Sequence, residues 1–179
     1  ILSQAFLGIA RAQTLSFHMG ADASTIDVDL AQLTPQLLAS VERLAADVVF
    51  RNRPVHVLET DRENLGSLGI RKESRREGRL RVIDVDGFDR SACGGTHVGA
   101  TGEIGVIFVS DHERYKGGTR VEFVAGGRAL RLLQKDHELL RQLSRIYSAA
   151  PERLAETAEK TMQERAALAR EKELIQDRL

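Results

Sequence analysis

Cys93-Gly94-Gly95-Thr96-His97, continuing through Val98 to Thr101-Gly102-Glu103-Ile104-Gly105, carries most of the information in this chain. It holds the only cysteine and places an imidazole four residues later, with two adjacent glycines between them. A thiolate and an imidazole are good ligands for a borderline-soft cation such as zinc. Glycine lets the backbone bend tightly enough for both side chains to face one ion. The same residues are also read as a buried small hydrophobe followed by a turn histidine.

Tetrahedral zinc takes at least three protein ligands. The remaining histidines are His18, His56, His112 and His137, and none forms an H-x3-H or C-x2-C pair with a neighbour. His18, within Ser16-Phe17-His18-Met19-Gly20, is the one candidate third ligand with suggestive surroundings; a hydrogen-bonded core or pocket histidine is the alternative.

C-G-G-T-H-V followed by T-G-E-I-G resembles the second half of the alanyl-tRNA synthetase editing domain, whose free-standing relatives are the alanyl-tRNA editing proteins. The resemblance extends to Thr14-Leu15-Ser16-Phe17-His18-Met19-Gly20 and Ser24-Thr25-Ile26-Asp27-Val28-Asp29. It covers roughly the first two thirds of the chain. It implies a zinc site in which Cys93 and His97 are two ligands and an H-x3-H pair on a preceding helix supplies the others. Ile1-Leu2-Ser3-Gln4-Ala5-Phe6-Leu7 is similar to the continuation of that helix. The expectation is therefore a piece of a longer protein, beginning just after those histidines and carrying a partial zinc site. By the same resemblance Thr14 is the threonine that recognises a serine hydroxyl.

The 179 residues suffice for one substantial domain and an appendage, and 42% hydrophobic content suffices for a core. One cysteine excludes an intramolecular disulfide framework and fits a reducing cytoplasm. No apolar run is long enough to span a bilayer. The formal net charge is zero, so any contact with nucleic acid must come from local patches.

The expected fold is α+β: a mixed or antiparallel sheet packed with helices, followed by a long C-terminal helix. Residues 1–11 read as a buried helix end, with Leu2, Phe6, Ile9 and Ala10 on one side. Thr14 to Met19 and Thr25 to Leu30 read as strands. In the second, Ile26, Val28 and Leu30 face one way while Asp27 and Asp29 face the other. Thr34-Pro35 starts a helix with a capping hydroxyl and proline at its first position. Strands are expected at Val55 to Glu59, Leu80 to Val85, Ile104 to Val109 and Arg120 to Val124. Gly126-Gly127 opens a helix reaching Tyr147, and Pro151 opens a last one. The expected domains are 1–125 for the editing module, 126–150 for a helical connector, and 151–179 for the start of a C-terminal region for dimerisation.

The resemblance implies hydrolysis of mischarged Ser-tRNA(Ala) or Gly-tRNA(Ala) at the aminoacyl ester. An apolar pocket cannot strongly reject an isostere that adds only a hydroxyl, so a synthetase for alanine needs a second, hydrolytic site. Thr14 and Ser16, at i, i+2 spacing, are expected on one strand face as the hydroxyl-reading and catalytic candidates; ordinary strand residues are the alternative. Gln13 has a minor claim on substrate. Asp86 and Asp89 can orient a ligand or lie solvated in a turn, and Glu103 is either a general base or a carboxylate holding backbone amides. The densest basic run is Arg71, Lys72, Arg75, Arg76, Arg79 and Arg81; a second patch is Arg114, Lys116 and Arg120. Either touches the tRNA acceptor end or is a solvated surface. The partners implied are tRNA(Ala) carrying serine or glycine and a second copy, giving a homodimer through the C-terminal region; no membrane is implied. Two other readings stand beside the deacylase: a non-catalytic tRNA-binding or dimerisation module, and an editing domain cut from a complete alanyl-tRNA synthetase.

Overall fold

The computed structural model describes residues 1–61, 70 and 79–176. The chain divides into two compact units, Ile1–Leu130 and Arg131–Leu179. The fold is α+β, as expected, with antiparallel sheets and a long helix near the C-terminus.

In the first unit, α1 (Leu2–Ala10) buries Leu2, Ala5 and Phe6. Ile9, expected on the same side, is exposed. Arg11 ends the helix in the left-handed conformation, where its amide is taken by the Leu7 carbonyl. Four strands, β1 (Thr14–Met19), β2 (Ser24–Val28), β6 (Ile107–Tyr115) and β7 (Gly118–Ala125), form a sheet in the order β1-β2-β7-β6. A second sheet is ordered β3-β4-β5, from Val55–Thr60, Leu80–Val85 and Asp89–Ala92.

Between β2 and β3 runs α2 (Pro35–Phe50). The Thr34 hydroxyl caps it by accepting the Leu37 amide, with Pro35 at the first helical position. Its apolar stripe serves two neighbourhoods. Val41 and Ala45 join Phe6, Ile26, Val28, Val109 and Val121 in the core between the helices and the four-stranded sheet. Nearer the C-terminus, Val48 and Val49 are also buried. There the Thr101 hydroxyl, fully buried, donates to the Val48 carbonyl at 2.7 Å and accepts the Arg53 amide at 2.8 Å.

Several element boundaries differ from expectation. Ile104, expected to open a strand, instead ends a short 3-10 turn over Thr101–Ile104, and β6 begins at Ile107. This strand runs on through Asp111, His112, Glu113 and Arg114, polar residues tolerated because β6 is an edge strand bonded to β7. Lys116-Gly117 is a two-residue hairpin turn with both φ angles positive (48° and 84°), matching the right-handed twist of the strands it joins. β5, which lacks an alternating apolar pattern, was not expected as a strand.

The second unit takes in most of α3 (Gly127–Tyr147), a 3-10 turn at Pro151–Arg153 and α4 (Leu154–Gln176). Leu154 is buried, while Met162, Leu168, Leu174 and Ile175 are exposed. Among the described residues no helix is long and apolar enough to cross a membrane.

Replacing Thr101 with valine keeps the shape but strands a buried carbonyl and a buried amide. The expected loss is about 2 kcal/mol of unfolding free energy, read as a lower midpoint in urea with unchanged slope.

Candidate functional site

The Cys93–His97 bend is tied down at both ends. On entry, the Cys93 amide donates to the Arg81 carbonyl at 3.0 Å, continuing the pairing of β5 with β4. On exit, the Val55 amide donates to the Gly99 carbonyl and the Thr101 amide to the Arg53 carbonyl, both at 2.9 Å. Ala100 and Pro54 form an isolated bridge there. Glu103 accepts the Ala100 amide at 3.0 Å, which is the amide-holding role of its two readings. Between these anchors the bend is exposed.

Both side chains of interest turn to the same glycine. A Cβ added to Gly95 would stand 3.7 Å from the Cys93 Sγ and 4.0 Å from the His97 Cε1. His97 Nδ1 lies 3.0 Å from the Gly95 carbonyl. A ring N–H donated there leaves Nε2 with its lone pair outward, the arrangement of a histidine ready to ligate a metal. The Arg81 guanidinium also donates to the Gly95 carbonyl, and to the Cys93 carbonyl at 3.5 Å. A thiol and an outward imidazole nitrogen fit two positions of a tetrahedral zinc shell. Among the described residues no group of three or more potential ligands comes together.

Thr14 and Ser16 do not share a face. A register shift between them makes Leu15 the extra residue of a bulge, so Thr14 lies opposite Val28 and Ser16 opposite Asp27. Val28 points into the core and Asp27 to the other side of the sheet, and the two hydroxyls part accordingly. Thr14 Oγ1 is buried without a hydrogen-bond partner. Ser16 Oγ donates to the Asp27 carboxylate.

Asp27, 9% exposed, is the centre of a network that the sequence reading missed. Arg120 on β7 donates to its two oxygens from Nε at 2.7 Å and from Nη2 at 2.9 Å. The guanidinium lies 3.6 Å from the centroid of the Tyr115 ring. The Arg120 bonds, with a smaller contribution from Ser16, hold the Asp27 carboxyl down from 3.8 to about 2, against a desolvation that acts upward. The alternation that turns Asp27 away from Ile26 and Val28 was legible; a partner 93 residues away was not.

His18, exposed on β1 opposite Thr25, lies close enough to Asp27 to help hold its carboxyl down; the other candidates serve local structure. The Gln13 amide donates to the Asp29 carboxylate, tying the start of β1 to the end of β2. Asp86 sits in the β4–β5 turn, its carbonyl accepting Arg53 Nη1 at 2.8 Å, and Asp89 pairs with Val85. Of the first basic run, Arg71, Lys72, Arg75 and Arg76 lie outside the described residues. Arg79 pairs with Glu59 at 3.6 Å, and Arg81 serves the bend. In the second patch Arg120 is spent on Asp27 and Lys116 lies 5.0 Å from the Tyr115 ring centroid.

Comparison with known proteins points one way. Residues 80–122 match the family described as the threonyl and alanyl tRNA synthetase second additional domain. Over 166 residues, 89% of its length, the chain is 33% identical to an alanine–tRNA ligase of Methanothermobacter thermautotrophicus, of which it covers 18%. It is 32% identical over 168 residues to that of Pyrococcus furiosus, covering 87% of the chain and 18% of the relative. With the ligase of Frankia alni it shares 34% identity over 131 residues, 71% of the chain and 15% of the relative. The chain thus spans less than a fifth of the length of these relatives.

The Asp27–Arg120 pair has a signature in acid. Because the folded carboxyl titrates below its ordinary value, its stabilisation is present above pH 3.8 and is lost as the pH falls toward about 2. In Arg120→Ala the Asp27 titration, followed by carboxyl NMR, moves upward, and acid unfolding begins at higher pH.

Proposed function

Because this chain belongs to the alanyl-tRNA synthetase-related editing domains, we propose that it hydrolyses the aminoacyl ester of tRNA(Ala) mischarged with serine or glycine. Cys93 and His97 are the residues that would hold zinc, through Sγ and Nε2. The observation that carries this reading is their shared approach to Gly95, with His97 Nδ1 tied to a backbone carbonyl. Zinc bound there supplies either Lewis-acid polarisation or a water of lowered pKa.

The chain's own residues account for selectivity. An unpartnered buried hydroxyl such as that of Thr14 costs about 1–3 kcal/mol. A seryl side chain brings a hydroxyl that relieves this cost; an alanyl side chain does not. Selection of the mischarged ester over the correct one follows from that difference.

For the tRNA, Arg114 and Lys116 at the β6–β7 hairpin supply positive charge suited to phosphate, with binding that weakens as salt is added. A homodimer through the C-terminal region would rest on the exposed apolar residues of α3 and α4, among them Leu139, Leu143, Ile146 and Leu168.

Cys93→Ala and His97→Ala are each expected to strip zinc from the full-length protein and to abolish release of serine from Ser-tRNA(Ala). Retained zinc and turnover in both variants refute the assignment. tRNA binding by the wild type with neither metal nor serine release identifies a non-catalytic binding module instead. Thr14→Val is expected to lower the preference for seryl over alanyl ester by about tenfold or more, the worth of one buried hydrogen bond, with thermal stability unchanged or raised. Unchanged selectivity means that another group reads the hydroxyl.

A further inference from the structure

Arg81 stands across from Cys93 where the pairing of β4 with β5 gives out, and it meets the bend with both backbone and side chain. Its carbonyl accepts the Cys93 amide at 3.0 Å. Its half-buried guanidinium donates to the Gly95 carbonyl and approaches the Cys93 carbonyl at 3.5 Å. A guanidinium is a rigid fork of five N–H donors with no acceptor, so it holds carbonyl oxygens and turns amides away.

That selection bears on His97. The Gly95 oxygen belongs to the peptide joining Gly95 to Thr96, and His97 Nδ1 lies 3.0 Å from it. A carbonyl only accepts, so the ring proton sits on Nδ1 and Nε2 keeps its lone pair. Were this peptide turned over, it would present the Thr96 N–H to the ring instead. Nδ1 would then accept, the proton would move to Nε2, and that nitrogen could no longer bind a cation. Glycine opposes such a turn weakly, having no Cβ to restrict its backbone, and the bend is exposed. A charged donor anchored on β4 opposes it directly and favours one peptide orientation by about tenfold or more.

We infer that Arg81 is a positioning residue for His97: by holding the Gly95 carbonyl it keeps the ring proton on Nδ1 and leaves Nε2 open to a metal. This role rests on the reading of Cys93 and His97 as zinc ligands and deepens it, naming the residue that prepares the imidazole before any ion arrives. Arg81 acts here through the Gly95–Thr96 peptide and not on the substrate.

The test is nitrogen NMR of the full-length protein, isotope-labelled at histidine and freed of metal, in alkaline solution where imidazoles are neutral. The His97 signals are identified by their loss in His97→Gln. Wild type is expected to carry the His97 proton on Nδ1, and Arg81→Met to lose that bias in favour of Nε2. Zinc affinity, measured separately by competition with a chromophoric chelator, is expected to fall about tenfold to a hundredfold in Arg81→Met, the usual loss when a ligand's hydrogen-bonded support is removed. Arg81→Lys, which keeps the charge and loses the fork, should lie between. Arg79→Met removes a neighbouring cation that pairs with Glu59 and controls for charge alone; it should match wild type in both measurements. Melting temperatures show which variants are folded, and Arg81→Lys carries the comparison where Arg81→Met is not. A wild-type proton on Nε2, an unchanged tautomer in the variant that carries the comparison, or the same change in Arg79→Met overturns the inference, as does zinc binding that does not weaken when the tautomer shifts. A tautomer that depends on Arg81 in a protein that takes up no zinc upholds the hold on His97 and removes only the metal reading.

Discussion

The buried hydroxyl of Thr101, giving its proton to the Val48 carbonyl and taking the Arg53 amide, joins the C-terminal end of α2 to the segment that leaves the Cys93–His97 bend. The same helix meets the four-stranded sheet earlier in its length, through Val41 and Ala45 in the core and through Glu42, which accepts the Val109 amide. One element thus holds both the sheet that carries Ser16 and Thr14 and the loop that carries the sulfur and imidazole. An unpaired polar group inside a packed region is costly, so this attachment admits little slippage.

From that attachment follows how the bend is organised. Its entry is paired with β4 and its exit with the start of β3, leaving only the stretch between them exposed. Within it the Gly95 carbonyl receives both His97 and Arg81. An arginine that reads in sequence as one more basic residue of a surface run thereby serves the orientation of an imidazole. Arg120 undergoes the same reassignment: its charge is consumed by Asp27, and the basic character of the β6–β7 hairpin rests on Arg114 and Lys116.

The two hydroxyls of β1 show how a single inserted residue divides chemistry between two environments. Alternation alone puts Thr14 and Ser16 together. The bulge at Leu15 sends one toward the core side, buried and unpartnered, and the other to the polar face, where a carboxylate takes its proton.

Taken alone, the sequence determined what local chemistry dictates. The cap at Thr34-Pro35, the alternation that buries Ile26 and Val28, the strand at Leu80–Val85 and the start of α3 at Gly127 are short-range matters of backbone freedom and side-chain period. The thiol and imidazole were legible for the same reason, lying four residues apart on a glycine-containing bend. Tertiary structure alone decided the bulge at Leu15, the strand Asp89–Ala92 and the bond between Asp27 and Arg120. Each depends on which strand lies alongside. Partners brought together from residues far apart in the chain are chosen by packing and sheet register, and neither is written in the neighbourhood of the residues themselves.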